Sequence, residues 1–254
     1  MRVLQISDLH IGLTTESSIR KMFKEASKLD FDMILNCGDN SGQRSALKPC
    51  RLIAKMMREY WLDKPILTVN SNHDSWLAGH ENSKPSLADW LKQREDIKQI
   101  YKDYNIHYMD EDGIFEVWEE PNMVFVGVGG WYGNSNPPTN DSLYLPHNIE
   151  GISPHLWLRN EAEKKLDKQL LQLDKIYNED TVVCFVSHFP VIKTMGDKGF
   201  DLFAWSERIG ELMKERYDCQ YFFEGHSHLE HKGPIVYNCG SDYYHPKYQI
   251  VEVY

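Results

Sequence analysis

Cysteine is scarce in this sequence, and none of it stands in a spacing that binds zinc or forms a redox pair. The chain has five cysteines, an odd number, and no Cys-x-x-Cys motif. They are Cys37, Cys50, Cys184, Cys219 and Cys239. Four lie in or beside apolar strand-like runs, where a free cysteine behaves as a small hydrophobic residue. The pattern excludes a disulfide framework and a zinc ribbon, and it predicts a reducing, cytoplasmic compartment.

Long apolar runs and an excess of positive charge are missing as well. No stretch of about 18 apolar residues occurs, so we expect no membrane span. The chain starts with a strand-like run over 1–6 and not with the long apolar stretch of a signal peptide. It carries 28 lysines and arginines against 38 aspartates and glutamates, for a formal net charge of -10. This acidity disfavours broad nucleic-acid binding, although a local metal site could still hold a phosphate.

The residues that are present suit one large α/β domain. The chain has 254 residues, of which 41% are hydrophobic and 26% are charged. Strand-like runs alternate with stretches of helical period over 1–79, which predicts right-handed βαβ units and a partly parallel sheet. The alternation returns from Leu158 onward. We therefore predict a single domain over 1–254, with a long insertion loop at about 129–157.

The predicted insertion loop is our candidate for a segment that faces the substrate. It contains Trp131 and Tyr132, which could stack on a base or cover a lipid or sugar group. Alternatively, these aromatic side chains pack the loop onto the body of the domain, and the sequence leaves both interpretations open. His80, His147 and His155 could also lie near a site, but the sequence assigns them no role.

Five strand-like runs end in side chains that can bind a metal ion. These are Asp8 with His10, Asp39, Asn72 with His73, His188, and His226 with His228. The carboxyl ends of strands in α/β sheets are where sites assemble. Alternation along an extended chain would place the members of each Asp-x-His or His-x-His pair on one side. Oxygen and imidazole donors without a thiolate suit manganese, iron, zinc or cobalt better than a sulfur-bound structural zinc.

Taken in order, these blocks resemble the signature of the calcineurin-like metallophosphoesterase superfamily. The matching blocks are Asp8-x-His10, Gly38-Asp39, Asn72-His73-Asp74, His188 and Gly225-His226-x-His228. The resemblance implies an α/β fold, a four-layer αββα sandwich with two mixed β-sheets flanked by helices. It also implies two divalent metal ions at one edge. Manganese is the expected metal, with iron, zinc, cobalt and nickel as alternatives.

The resemblance also assigns roles to individual residues. It implies that the first metal is held by Asp8, His10, Asp39 and His228. It implies that the second metal is held by Asp39, Asn72, His188 and His226, so that Asp39 bridges the two. It makes His73 the general acid for the leaving oxygen, with Asp74 orienting it. One position departs from the family pattern, because Ser71 stands where glycine is usual. If that position needs a positive φ, serine costs a modest strain.

These residue types point to phosphoester hydrolysis. Two divalent ions with two carboxylates leave a local charge of about +2, which attracts a phosphate and stabilises its transition state. A hydroxide that bridges the two ions could attack in line with the leaving oxygen. No Gly-x-Ser-x-Gly elbow is present, so a covalent seryl mechanism has no support.

The substrate is less well determined by the sequence. Serine/threonine protein phosphatases of the superfamily continue Gly-Asp with x-x-Asp-Arg-Gly, whereas this chain continues Asp39 with Asn40-Ser41-Gly42. The arrangement looks closer to the small phosphodiesterases, so we expect a phosphodiester within a small molecule or nucleotide. A phosphomonoesterase or a nuclease is the alternative. A non-catalytic scaffold is disfavoured because His73 and all the ligand positions are intact. The oligomeric state stays open.

Overall fold

The computed structural model describes residues 1–79, 83–117, 122–132, 139–192 and 204–254. The strands are β1 (Arg2–Ile6), β2 (Met33–Asn36), β3 (Ile66–Thr68), β4 (His107–Tyr108), β5 (Phe115–Val117), β6 (Met123–Gly127), β7 (Val182–Val186), β8 (Tyr221–Phe223), β9 (Glu230–Lys232), β10 (Val236–Cys239) and β11 (Tyr248–Glu252). The helices are α1 (Glu16–Ala26), α2 (Leu47–Tyr60), α3 (Leu87–Asp103), α4 (Met109–Asp112), α5 (Thr139–Leu143), α6 (Pro154–Leu173) and α7 (Ala204–Tyr217). A 3-10 turn, His73–Ser75, follows β3.

The strands form two mixed sheets. The first has the order β11-β1-β2-β3-β4, and the second has the order β5-β6-β7-β8-β10-β9. In the first sheet β1 to β4 are parallel and β11 is antiparallel to β1. In the second, β6, β7, β8 and β10 are parallel, with β5 and β9 antiparallel at the two edges. The α/β sandwich with two mixed sheets that the family resemblance implied is confirmed.

Buried apolar side chains separate the layers. One cluster lies between the two sheets and includes Val3 and Leu35 from the first sheet and Phe125 and Phe223 from the second. A second cluster packs α1, α2 and α3 against the outer face of the first sheet. A third packs α6 and α7 against the outer face of the second sheet. The layer order is therefore helix, sheet, sheet, helix. Among the described residues, no helix is both long and apolar enough to cross a bilayer.

The segment predicted as an irregular insertion has more regular structure than expected. The short helix α5 lies within it, and α6 begins at Pro154, before the predicted start at Leu158. The physical reason is local, because the Ser153 side chain caps the amide of Leu156 and a proline at the first helical position is preset for the helix. Residues 133–138 of the predicted loop lie outside the described residues, as does His80.

Candidate metal centre

The predicted ligands follow the carboxyl ends of strands from both sheets and lie together. Five of them have backbones in the left-handed region: Asp8 (φ 53°), His10 (φ 42°), Asp39 (φ 54°), His226 (φ 63°) and His228 (φ 56°). A positive φ is uncommon for residues other than glycine, and such strain concentrates at functional sites. The expectation that alternation along an extended strand brings each pair together is wrong. Tight left-handed turns after the strands do so.

Two glycines allow the chain to pass close to the candidate ligands. Gly38 has φ +88°, and a Cβ there would lie 3.2 Å from the Nδ1 atom of His188. At Gly225 a Cβ would lie 2.2 Å from the Ser7 Oγ atom and 3.0 Å from the Asp8 Oδ2 atom. A side chain at either position would displace residues of the cluster.

Asp8, His10 and His228 form the first group of side chains with metal-ligand spacing. The Nε2 atoms of the two histidines are 3.3 Å apart, and the Asp8 Oδ1 atom is 3.4 Å from the His228 Nε2 atom. The second carboxylate oxygen of Asp8 accepts a hydrogen bond from the Ser7 hydroxyl at 2.5 Å. Asp8 is therefore held by its neighbour while its Oδ1 atom faces the group.

Asp39, His188 and His226 form a second group, which Asn72 joins. The His188 Nε2 atom lies 3.4 Å from Asp39 Oδ2, 3.2 Å from His226 Nδ1 and 3.0 Å from the Asn72 amide oxygen. The Asp39 Oδ2 atom is also 3.6 Å from the Nε2 atom of His10, which belongs to the first group. Asp39 thus lies between the two groups, as a bridging ligand would.

Hydrogen bonds at Nδ1 direct three of the histidines toward the cluster. They run from His188 to the Cys37 carbonyl (2.8 Å), from His10 to the Ser41 carbonyl (3.3 Å) and from His228 to the Asp242 carboxylate (3.2 Å). A neutral imidazole that donates at Nδ1 has a lone pair at Nε2. Once His228 has lost its proton, the Nε2 atoms of His10 and His228 face each other as two acceptors, and that of His188 faces an amide oxygen. A cation between facing acceptors relieves their repulsion, so this donor set fits two divalent metal ions.

The protonation of the centre is consistent with metal binding. Burial acts to raise the pKa of Asp39, but the surrounding histidines, His188 first, outweigh burial and lower it below its usual range. Burial lowers the pKa of His226 to about 3, so its imidazole is uncharged at neutral pH and one ring nitrogen can bind a cation. Burial also opposes a charge on His228, but its hydrogen bond with Asp8 raises its pKa to about 9. A metal ion must therefore displace a proton at that one histidine.

His73 lies beside the cluster, but Asp74 does not orient it. The backbone N–H of His73 donates to the Asp39 Oδ1 atom at 3.2 Å, while its Nδ1 atom is buried without a hydrogen-bond partner. The Asp74 carboxylate instead accepts from the backbone N–H groups of Asn40 (3.3 Å) and Ser41 (3.1 Å). The predicted contact between Asp74 and His73 is therefore wrong, because the loop after Asp39 takes up both carboxylate oxygens. Asp74 ties that loop to the turn that carries His73.

The ring of His73 is held by aromatic contacts. It stacks on Trp76 with the ring centroids 3.7 Å apart and an interplanar angle of 24°. It also meets the ring of His10 edge-on at 4.7 Å. The expected strain at Ser71 is absent, because Ser71 has no positive φ and its hydroxyl accepts from the Asp74 N–H. Serine is thus accommodated in the place of the usual glycine.

Several residues that surround the centre were not singled out from the sequence. Asp242 accepts the Nδ1–H of His228, and Asp141 accepts hydrogen bonds from both Asn72 and Trp76. Asp141 belongs to the segment predicted as an insertion loop, and no motif marks it. The only sequence signal was its position between aromatic residues in a segment expected to face the substrate.

The two aromatic residues proposed to meet the substrate pack inward instead. Trp131 is 0% exposed and Tyr132 is 3% exposed, and both pack with Phe189 in a cluster against the body of the protein. The second interpretation of these residues is therefore the one that the structure supports. His155 accepts from the Trp131 indole N–H at 3.2 Å and serves this packing, while His147 is exposed.

Comparisons with known proteins agree with this geometry. The family model for calcineurin-like phosphoesterases matches residues 1–230. The solved structure of phosphopantetheinyl hydrolase from Mycobacterium tuberculosis is similar with a TM-score of 0.59 at 14% identity, over 93% of this chain and 86% of that one. The solved structure of TT1561 from Thermus thermophilus is similar with a TM-score of 0.53 at 17% identity, over 91% of this chain and 82% of that one. At these identities the two structures show the fold alone. A comparison with curated protein sequences finds no match.

Proposed function

Because this chain belongs to the calcineurin-like phosphoesterase family, and is thus a metal-dependent phosphoesterase, we propose that its preferred substrates are phosphodiesters. The proposed ligands of the first ion are Asp8, His10, Asp39 and His228, and those of the second are Asp39, Asn72, His188 and His226. When bound, the two ions supply positive charge to the phosphoryl oxygens and activate water. Manganese suits this mixture of carboxylate, amide and imidazole donors.

His73 is the proposed proton donor to the leaving oxygen. Its ring lies between Trp76, on which it stacks, and His10, which it meets edge-on. The His73 backbone N–H donates to the Asp39 Oδ1 atom, and its ring nitrogen lies within metal-ligand distance of both His10 and Asp39. Asp74 supports this arrangement indirectly, because it anchors the turn and not the ring. A positioned acid of this kind contributes about 10²–10⁴-fold to the rate.

The diester preference rests on one observation, which is that partly exposed aromatic rings lie beside two different parts of the centre. Trp76 stands on the side of His73, with the ring of Tyr144 4.7 Å away. Tyr243 lies beside the two histidines of the first group, 4.7 Å from the ring of His10 and 5.0 Å from that of His228, and is 37% exposed. A phosphodiester brings two organic groups to the metals and a monoester only one, so two separate areas of aromatic contact favour a diester.

Charge supports the same preference. Within the described part of the chain, the carboxylates of Asp8 and Asp39 form ion pairs with histidines and with no lysine or arginine. A monoester dianion gains more from an additional cationic side chain than a singly charged diester does. The net charge of -10 also favours a small-molecule or nucleotide substrate over an extended nucleic acid. The five free cysteines, all buried, support a reducing cytoplasmic location.

Hydrolysis of paired chromogenic substrates tests this proposal. Manganese-loaded protein would be assayed on bis-p-nitrophenyl phosphate and on p-nitrophenyl phosphate, with and without a chelator. We expect kcat/KM to favour the diester by about tenfold or more, which corresponds to about 1.4 kcal/mol. Further arms would use linear and cyclic nucleotides and single-stranded DNA. A faster monoester would overturn the diester preference, and a lack of chelator-sensitive turnover on every substrate would favour the scaffold.

The control for this assay is Asp39→Asn. Asp39 is the carboxylate nearest both His10 and His188, at 3.6 Å and 3.4 Å, so neutralising it weakens both ion sites at once. We expect the variant to stay folded and to lose both metal binding and turnover. A variant that bound two ions and turned over normally would exclude Asp39 as the bridging ligand.

A further inference from the structure

We propose that Asp141 is a positioning residue that orients both a metal ligand, Asn72, and, through Trp76, the proton donor His73. This inference rests on the proposed function of the centre. Asp141 lies in α5, outside the sequence blocks that carry the predicted ligands, and its side chain is buried at 2% exposure. The Asp141 carboxylate would thus support both metal binding by Asn72 and proton donation by His73.

The hydrogen bonds of Asp141 are the basis of the proposal. Its Oδ1 atom accepts from the Asn72 amide Nδ2 at 3.2 Å and from the Trp76 indole Nε1 at 2.8 Å. Its Oδ2 atom accepts from the Tyr132 hydroxyl at 2.6 Å. All three donors are uncharged side chains. A buried carboxylate is costly unless donors replace its water, and these three do so while being held by it.

The bond to Asn72 decides which end of the amide faces the second metal group. Because Nδ2 donates to Asp141, the amide oxygen points at the His188 Nε2 atom, 3.0 Å away. A flipped amide would present its N–H₂ group there, which repels a cation. A charged acceptor on the nitrogen also polarises the amide and makes its oxygen a stronger ligand. Asp141 therefore sets both the orientation and the donor strength of Asn72.

The bond to Trp76 acts on the proton donor. Trp76 stacks on His73 at 3.7 Å, and the Nδ1 atom of His73 has no hydrogen-bond partner of its own. The ring of His73 is thus positioned by packing, and the position of the packing partner depends on its indole bond to Asp141. Asp141 consequently performs, through Trp76, the orienting role that the family resemblance implied for Asp74.

The decisive experiment measures metal affinity and turnover separately in Asp141→Asn. Calorimetric titration of the metal-free protein with manganese should show the second ion bound about 10–100-fold more weakly. Loss of a residue that hydrogen-bonds a metal ligand typically lowers metal affinity by this factor. The first ion should bind normally, since Asp141 contacts none of Asp8, His10 and His228. With saturating manganese, kcat on a diester should fall while KM changes little, because the misplaced His73 ring acts in the transition state and not in substrate binding.

A second variant separates the two contacts, and a third serves as the control. Trp76→Phe keeps an aromatic ring against His73 but removes the indole N–H, so it should lower kcat and leave the affinity for the second ion unchanged. Asp174→Asn is the matched control, because Asp174 also accepts a tyrosine hydroxyl at 2.6 Å, from Tyr217, far from the centre. We expect it to leave both metal affinity and kcat unchanged.

Each outcome decides the proposal. It is supported if Asp141→Asn, with metal-free thermal stability close to that of the wild type, loses affinity for the second ion selectively. It is overturned if that variant binds both ions and turns over like the wild type, or if both ions weaken together with a general loss of stability. A wild-type protein without metal-dependent turnover would refute the proposed function instead, and the selective change in affinity would still be measurable.

Discussion

Replacement of His73 by asparagine gives the sharpest test of the proposed chemistry. The His73 Nδ1 atom has no hydrogen-bond partner, so the substitution leaves no buried partner unsatisfied. The main structural loss is the stack on Trp76, worth about 0.5–1.5 kcal/mol as an aromatic pair. The variant should therefore fold and bind both ions. Loss of the acid should lower kcat by about 10²–10⁴-fold, or about 3–5 kcal/mol of transition-state stabilisation.

The size of this loss should depend on the leaving group. A p-nitrophenolate leaves as a weakly basic anion and needs little protonation, whereas a nucleoside or alkyl oxygen leaves as a strong base. We therefore expect the full loss on a nucleoside diester and a loss of only about tenfold or less on bis-p-nitrophenyl phosphate. Steady-state rates on both substrates, with metal stoichiometry measured in the same preparation, provide the test.

Two results would refute this reasoning. Equal losses on both substrates would mean that His73 does not protonate the leaving oxygen. Loss of a bound ion would mean that His73 supports the metals, a role its closeness to His10 and Asp39 also allows.

Two further predictions concern the packing around the centre. In Gly225→Ala the new Cβ would meet the Ser7 Oγ atom at 2.2 Å and crowd Asp8. We therefore expect the free energy of unfolding to fall by about 1–3 kcal/mol and the first ion to bind more weakly. A normal free energy of unfolding by denaturant titration and a normal metal affinity by calorimetry would contradict this. Burial raises the pKa of the Cys219 thiol to about 12 and that of the Cys239 thiol to about 11. At pH 8 the native protein should therefore react slowly with a thiol reagent, whereas all five cysteines should react after denaturation. A rapidly modified thiol in the native protein would show that a buried site opens.

The parallel strands and the gathering of the ligands at their ends could be predicted from local patterns, whereas the sandwich of two mixed sheets was implied by the family resemblance. Apolar runs with period two or 3.6 mark strands and helices, and parallel strands deliver their carboxyl ends to one edge. The sequence did not reveal how the ligands turn toward one another. Asp8, Asp39 and His226 take left-handed backbone conformations, which Asp and His adopt more often than most residues but which no sequence pattern marks at these positions. Gly38 and Gly225 were the sequence features that indicated a close approach of the backbone to the ligand side chains.

The contacts that orient the side chains could not be predicted from the sequence for a different reason. Asp141 is separated by 69 residues from Asn72 and by 65 from Trp76, so their bonds depend on how α5 packs and not on a local motif. Adjacency in sequence was misleading for Asp74, which follows His73 directly but turns its carboxylate toward the loop after Asp39. A residue beside a functional group in sequence thus need not support it.

The centre depends on the pairing of the two sheets. Asp8 and Asp39 follow strands of the first sheet, whereas His188 and His226 follow strands of the second. The His188 imidazole bonds the Cys37 carbonyl across the gap, and the His226 N–H donates to the Asp8 carboxylate in the same way. The two proposed ion sites are therefore complete only when the sheets lie at their native separation, which the apolar cluster between them sets. Because packed interiors deform little, that cluster fixes the spacing of the ligands, and a core residue far from the chemistry contributes to it.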